Sequence, residues 1–182
     1  MLCFSGHKIN GPKGIGVLFK AKNTQLIPLI HGGGQEKGLR SGTYNTPLIV
    51  GLGAACEIQM DEFEKNNKRI DEISKYLNEE LLELNVEILG DINSKVKHII
   101  NAVIPNLEAN VFIAKAKEIA LSNGSACSSQ IIESSHVLKS MGLSDFECAK
   151  TIRISLHSET TITQIKELIS RIKAETKKIV RC

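Results

Sequence analysis

Four segments of this sequence bring together side chains able to bind anions or act as nucleophiles. The first is Ser5-Gly-His-Lys-Ile-Asn-Gly-Pro-Lys-Gly14. A desolvated lysine amine is a nucleophile able to form a Schiff base. Ser5 and backbone N–H groups offer donors to a phosphate, and glycine lets the backbone approach it closely. A surface turn with a solvated lysine accounts for the same residues. The string is neither the G-x-x-x-x-G-K-[ST] phosphate loop nor the G-x-G-x-x-G fingerprint. The second segment is His31-Gly-Gly-Gly-Gln-Glu-Lys-Gly-Leu-Arg-Ser-Gly-Thr43. Consecutive glycines let a backbone curl into an anion-binding nest, with Arg40, Ser41 and Thr43 as donors. A long flexible turn is the alternative.

The third segment, Leu121-Ser-Asn-Gly-Ser-Ala-Cys-Ser-Ser129, sets Cys127 in a small, polar, glycine-bearing loop. Such surroundings suit an accessible redox or nucleophilic thiol. A surface thiol without a role fits equally. Of the other cysteines, Cys56 follows Ala54-Ala55 and Cys148 lies in a short capped helix, and both read as packing. The five cysteines form an odd, irregular set without C-x-x-C, so neither a disulfide framework nor a zinc site is expected. In the fourth segment, Arg153 alternates with apolar residues in Thr151-Ile-Arg-Ile-Ser-Leu156. Facing inward, it needs an anion; on an exposed edge, it needs none.

The elements that position these groups follow from periodicity. Eleven of the fourteen glycines lie at or before Gly53, and Ile15–Phe19 is the clear strand of that stretch. From Leu48 onward, Ile58, Ile70, Ile73, Leu77, Leu81 and Leu84 recur at helical spacing, with a break suggested at Asn66-Asn67. Strand patterns follow at Val86–Leu89, His98–Ile104 and Glu118–Ser122, with a helix over Leu107–Lys117. Ser144 with Glu147 and Thr161 with Gln164 fit the capping box. The second box opens a helix with Ile162, Ile165, Ile169 and Ile172 on one face. The division expected is residues 1–50 with too little apolar surface for a core, a connecting helix over 51–85, and an α+β domain over 86–182.

Composition narrows the classes. The chain has 182 residues, 42% of them hydrophobic, and a net charge of +3. No basic stripe interleaved with aromatics occurs, so direct nucleic-acid binding is not expected. No apolar run reaches membrane-spanning length, and the first residues lack a signal-peptide layout. No membrane association and a cytoplasmic location are therefore expected.

Phe4-Ser-Gly-His-Lys-Ile-Asn-Gly-Pro-Lys-Gly-Ile-Gly16 resembles the cofactor-lysine segment of cysteine desulfurases, class V enzymes of fold-type I that use pyridoxal 5'-phosphate (PLP). Gly32–Thr43 resembles the second glycine segment of that family. Ser122–Ser129 resembles its sulfur-accepting loop, and Thr151-Ile-Arg-Ile-Ser155 with Thr160-Thr161 its substrate-arginine strand. The resemblance implies an α/β fold: the C-terminal part of a fold-type I enzyme, made of a remnant of the PLP-binding large domain (1–50) and a complete small α+β domain. By the same resemblance, Lys8 would hold PLP and move protons at the substrate Cα. Ser5 and His7 would bind the cofactor phosphate, and Thr43 the phosphate in the neighbouring subunit of a homodimer. Arg153 would bind the α-carboxylate of L-cysteine. Cys127 would take its sulfur as a persulfide, leaving alanine, and pass it to an acceptor protein such as an iron–sulfur scaffold or a sulfur carrier.

The family's first half, with the aspartate that pairs with the cofactor ring nitrogen, has no counterpart in this sequence. Two further readings therefore accompany the enzyme: an inactive fragment, and a sulfur-carrier module whose Cys127 accepts a persulfide made elsewhere.

Overall fold

The structure is a computed structural model that describes residues 1–91, 94–123 and 135–179. The chain divides into two compact units, Met1–Glu64 and Lys65–Cys182.

The first unit begins with an antiparallel hairpin. Strand β1 (Leu2–Ser5) pairs with β2 (Gly16–Phe19), in register from Leu2 opposite Phe19 to Ser5 opposite Gly16. The ladder continues one residue further, where Gly6 N–H donates to the Ile15 carbonyl at 2.8 Å. A 3₁₀ turn, Gly6–Ile9, follows β1 and ends at Asn10 with φ 62°. It is closed by Gly11 N–H donating to the Gly6 carbonyl at 2.9 Å. This turn packs against the first turns of helix α1 (Thr46–Glu83), and glycine permits the approach. A Cβ on Gly11 would stand 3.2 Å from Ala55 Cβ, and one on Gly51 would stand 2.7 Å from Pro12 Cγ. Few side chains are buried in this unit: Leu52 and Ala55 are its buried apolar residues among those described.

The second unit has the larger core. Its sheet is antiparallel in the order β3 (Glu87–Ile88), β4 (Ile99–Val103), β5 (Thr151–Ser155). Register places Ile100 opposite Ile154 and Ala102 opposite Ile152, so these four side chains share one face. That face packs with Ile73, Leu77 and Leu81 of α1, Phe112 of α2 (Ala109–Lys115), and Ile165, Leu168, Ile169 and Ile172 of α5 (Ile162–Ile179). Leu77 and Ile172 are fully buried. Alternation turns Val103 to the opposite face, where it meets Leu89, Leu138 of α3 (His136–Ser140) and Cys148 of α4 (Asp145–Ala149).

Both capping boxes form. Ser144 Oγ accepts from Glu147 N–H while Glu147 accepts from Ser144 N–H, and Thr161 N–H donates to Gln164 Oε1 at 2.9 Å. Helix α1 runs through Asn66-Asn67 without the suggested break. Ile162 is exposed rather than on the buried face of α5, because it occupies the first helical position, ahead of the core. The strand expected over Glu118–Ser122 shrinks to a single bridge at Ser122. Ile119 N–H instead closes a turn onto the Ala116 carbonyl, leaving Ile119 and Leu121 packed on the core. Among the described residues, no helix is long and apolar enough to cross a membrane.

Candidate functional site

The 3₁₀ turn of the first unit presents Ser5, His7 and Lys8, all exposed. Its geometry follows from the hairpin before it and the glycine contacts behind it. Gly6 is buried, while the polar side chains on either side of it reach solvent. Among the described residues, neither the Ser5 hydroxyl, the His7 imidazole nor the Lys8 ammonium has a hydrogen-bond or ion-pair partner. A hydroxyl, an imidazole and an amine on one short turn make a donor set that suits a phosphate and a nucleophile that suits an aldehyde. The residues present therefore fit a phosphorylated aldehyde.

In the glycine segment of the same unit, for which an anion nest and a long flexible turn both stood open, the side chains bind the loop itself. Ser41 Oγ donates to the His31 carbonyl at 2.8 Å, and Arg40 Nη1 donates to the Gly42 carbonyl at 2.9 Å and the Ser41 carbonyl at 3.2 Å. Arg40 also pairs with Glu36 at 3.5 Å and lies 6.0 Å over the Tyr44 ring. Gly42 N–H donates to Gln35 Oε1, and Glu36 N–H donates to the Tyr44 hydroxyl at 2.9 Å. Two of the three donors expected for a phosphate, Arg40 and Ser41, are thus spent on the loop's own carbonyls. Gly33 serves clearance, since a Cβ there would stand 2.6 Å from Gln35 Oε1. Glu36 and Lys37 take positive φ (49° and 56°), a strained conformation that these side-chain contacts hold in place. Thr43, flanked by this network, is exposed and without a partner among the described residues. Gln35 and Tyr44 are supports that the sequence reading passed over; the glycine beside Gln35 was the one available sign.

In the second unit, Arg153 lies at the middle of β5, half-buried between Ile152 and Ile154, on the face opposite those two. Its guanidinium has no carboxylate or carbonyl partner among the described residues. A half-buried guanidinium in that state is a ready receptor for a carboxylate, which its planar fork binds at two points. On the other side of β5, the Arg153 backbone bridges Ser122: Arg153 N–H donates to the Ser122 carbonyl at 2.6 Å, and Ser122 N–H donates back at 3.3 Å. Cys127, five residues on, lies outside the described residues.

The remaining thiols sort by burial. Cys148 is buried, and desolvation pushes its thiol above the usual range, with the Asp145 charge adding to the effect. Cys56 is half-buried and Cys3 exposed. Among the described residues, no group of three His, Cys, Asp or Glu side chains is placed to hold a metal ion.

Comparison with solved structures defines the class. The X-ray structure of a NifS-like protein from Rickettsia africae matches with a TM-score of 0.83 at 32% identity, covering 96% of this chain and 47% of that one. SspA in complex with cysteine matches with a TM-score of 0.59 at 37% identity, covering 87% and 44%. The fold is part of the α/β fold of NifS-like proteins. In sequence, the chain is 40% identical over 179 residues to cysteine desulfurase IscS of Rickettsia massiliae, covering 96% of this chain and 44% of that protein. It is also 40% identical over 176 residues to the mitochondrial cysteine desulfurase of Arthroderma benhamiae, covering 95% and 35%. Residues 1–168 match the aminotransferase class-V family, and the chain belongs to it. It spans less than half the length of the curated relatives it matches.

Proposed function

We propose that this chain is the C-terminal part of a PLP-dependent cysteine desulfurase, a transferase that moves sulfur from L-cysteine to Cys127 and then to an acceptor protein. The observation that carries this reading is identity to cysteine desulfurases over almost the whole chain, with Lys8 on an unobstructed, glycine-backed turn. Pyridoxal 5'-phosphate, when bound, supplies the electron sink for charge developing at the substrate Cα.

The chain's own residues have separable tasks. The Lys8 amine would hold the cofactor aldehyde and carry a proton to and from Cα. Ser5 and His7, on the same turn, would donate to the phosphate. Thr43 would donate to the phosphate of a second copy in a homodimer. Arg153 would bind the α-carboxylate of L-cysteine and so fix which end of the substrate faces Cys127. The Cys127 thiolate attacks the substrate sulfur: an S–S bond forms, the substrate Cβ–S bond breaks, and Cβ takes up a proton. The sum is L-cysteine plus a thiol giving L-alanine plus a persulfide. A cytoplasmic location belongs to the same proposal.

A second reading rests on the first unit. Ile27 and Leu29, 86% and 93% exposed, line a cleft of about 770 Å³ together with Leu18, Leu26, Leu39 and Leu52. Such a surface is costly in water. In this reading the chain carries sulfur on Cys127 but does not itself hold PLP.

Two measurements decide between the readings. Borohydride added to the chain with PLP leaves an adduct on Lys8 in the enzyme reading. Intact mass after L-cysteine shows one added sulfur on Cys127. Absence of the adduct, with sulfur reaching Cys127 only when a separate desulfurase is present, establishes the carrier. No sulfur on Cys127 under either condition sinks both.

A further inference from the structure

The turn that carries Lys8 rests on one face of α1. A Cβ added at Gly6 would stand 3.2 Å from Leu52 Cδ1, one at Gly11 3.2 Å from Ala55 Cβ, and one at Gly14 3.7 Å from Leu48 Cδ1. Gly51 completes the set from the helix side, where a Cβ would stand 2.7 Å from Pro12 Cγ and 3.4 Å from Pro12 Cδ. Leu48, Gly51, Leu52 and Ala55 follow the i, i+3, i+4, i+7 spacing of a single helical face. Gly53, two residues further along the helix, is exposed, and a Cβ there would meet nothing within 4 Å. Glycine lowers helix propensity at both positions. Of the two, Gly51 alone has a contact that requires it.

From this we infer that Gly51 is a positioning residue for Lys8. Its missing side chain is the space that the Pro12 ring fills, and it thereby sets how closely the Lys8 turn approaches α1. Asn10 N–H and Gly11 N–H both donate to the Gly6 carbonyl, closing residues 6–11 into a loop that contains Lys8. Pro12 is joined directly to that loop. Its pyrrolidine fixes φ, so it cannot clear a new side chain by rotating. Carbon atoms in contact settle about 3.5–4.0 Å apart, so an alanine at position 51 would drive Pro12 back by about 1 Å. Gly6, buried and bonded through its N–H to the Ile15 carbonyl, stays with the hairpin. The displacement therefore strains the two bonds that shape the turn and hold Ser5, His7 and Lys8 in their arrangement. The inference rests on the cofactor role proposed above for Lys8.

The test uses the full chain, with PLP and borohydride as probe and exposed Lys22 as the reference lysine. The variants are Gly51→Ala, Gly53→Ala, Pro12→Ala, and Gly51→Ala combined with Pro12→Ala. Both glycine substitutions raise helix propensity alike, so that effect cancels between them. In the parent, Lys8 should take more adduct than Lys22. Gly51→Ala should lower the Lys8-to-Lys22 ratio by about tenfold, while Gly53→Ala keeps the parent ratio. Exchange of the Gly11 amide should quicken in Gly51→Ala and not in Gly53→Ala. The obstructing ring atoms are absent from Pro12→Ala, so Gly51→Ala should have no further effect in that background on either readout. Equal Gly11 exchange in Gly51→Ala and Gly53→Ala overturns the inference, as does an undiminished effect of Gly51→Ala in the Pro12→Ala background. Faster exchange with the parent's Lys8 preference intact also overturns it, because the contact then shapes the turn without placing the lysine. The cofactor reading fails separately. A parent without Lys8 preference, but with the asymmetric exchange and its rescue, loses that reading and keeps the seat on α1. A parent that prefers Lys8, with equal exchange in both glycine variants, keeps the reading and loses the seat.

Discussion

The two units hold their chemistry in different ways. In Lys65–Cys182, Arg153 lies on a strand of a sheet covered on both faces, and its position is inherited from a core of closely packed aliphatic side chains. In Met1–Glu64, Lys8 and Thr43 stand on a turn and a loop with little buried apolar surface beneath them. There, hydrogen bonds, close glycine contacts and an arginine clasp do what packing does in the other unit. Burial makes a site robust, whereas polar clasping makes it locally exact but dependent on each bond.

That contrast is open to attack, beginning with the core. Leu77→Ala should cost about 3 kcal/mol in urea unfolding, because a fully buried side chain is lost and a cavity remains. Leu29→Ser should stay within about 0.5 kcal/mol, since Leu29 is almost wholly exposed in the first unit. Equal costs would erase the distinction. Next is the clasp: Arg40→Ala should loosen the loop locally by about 1.5 kcal/mol, seen as faster exchange of the Gly42 amide, with the unfolding of the second unit unchanged.

Ser144→Ala should cost about 1 kcal/mol through loss of the α4 cap. It should also change an acid titration. The Ser144 hydroxyl and N–H hold the Glu147 carboxyl below its usual range, with Lys150 assisting. A lowered folded value stabilises the protein above the unfolded value, and that contribution is lost as pH falls through the folded one. An NMR titration of the variant should find Glu147 moved up toward an ordinary carboxyl. The smallest effect concerns reactivity alone. Burial pushes the Cys148 thiol up, so at neutral pH it should alkylate more slowly than exposed Cys3, by peptide mass analysis.

Much of the second unit was legible in the sequence because its signals are local and periodic. Ile73, Leu77 and Leu81 at four-residue spacing, and two capping boxes, determine where helices run and which faces they bury. Glu118–Ser122 was misread because alternation of apolar residues does not reveal whether a partner strand is free. Only Ser122 reaches the open side of β5. The first unit was legible as motifs and opaque as structure. Arg40 and Ser41 look like phosphate donors in a glycine-rich string, and nothing in that string shows that the carbonyls of Ser41, Gly42 and His31 would claim them. Gln35 and Tyr44 carry no periodic sign at all. Their importance lies in contacts over distances along the chain that pattern does not encode.

The central claim is that sulfur from L-cysteine reaches Cys127 through chemistry that begins at Lys8. Its most direct test is peptide mass analysis of the chain and its Lys8→Ala and Cys127→Ser variants after incubation with pyridoxal 5'-phosphate and L-cysteine. The account predicts one added sulfur on Cys127 in the parent and none in either variant. Sulfur on Cys127 of Lys8→Ala at the level of the parent, or none in the parent, would contradict it.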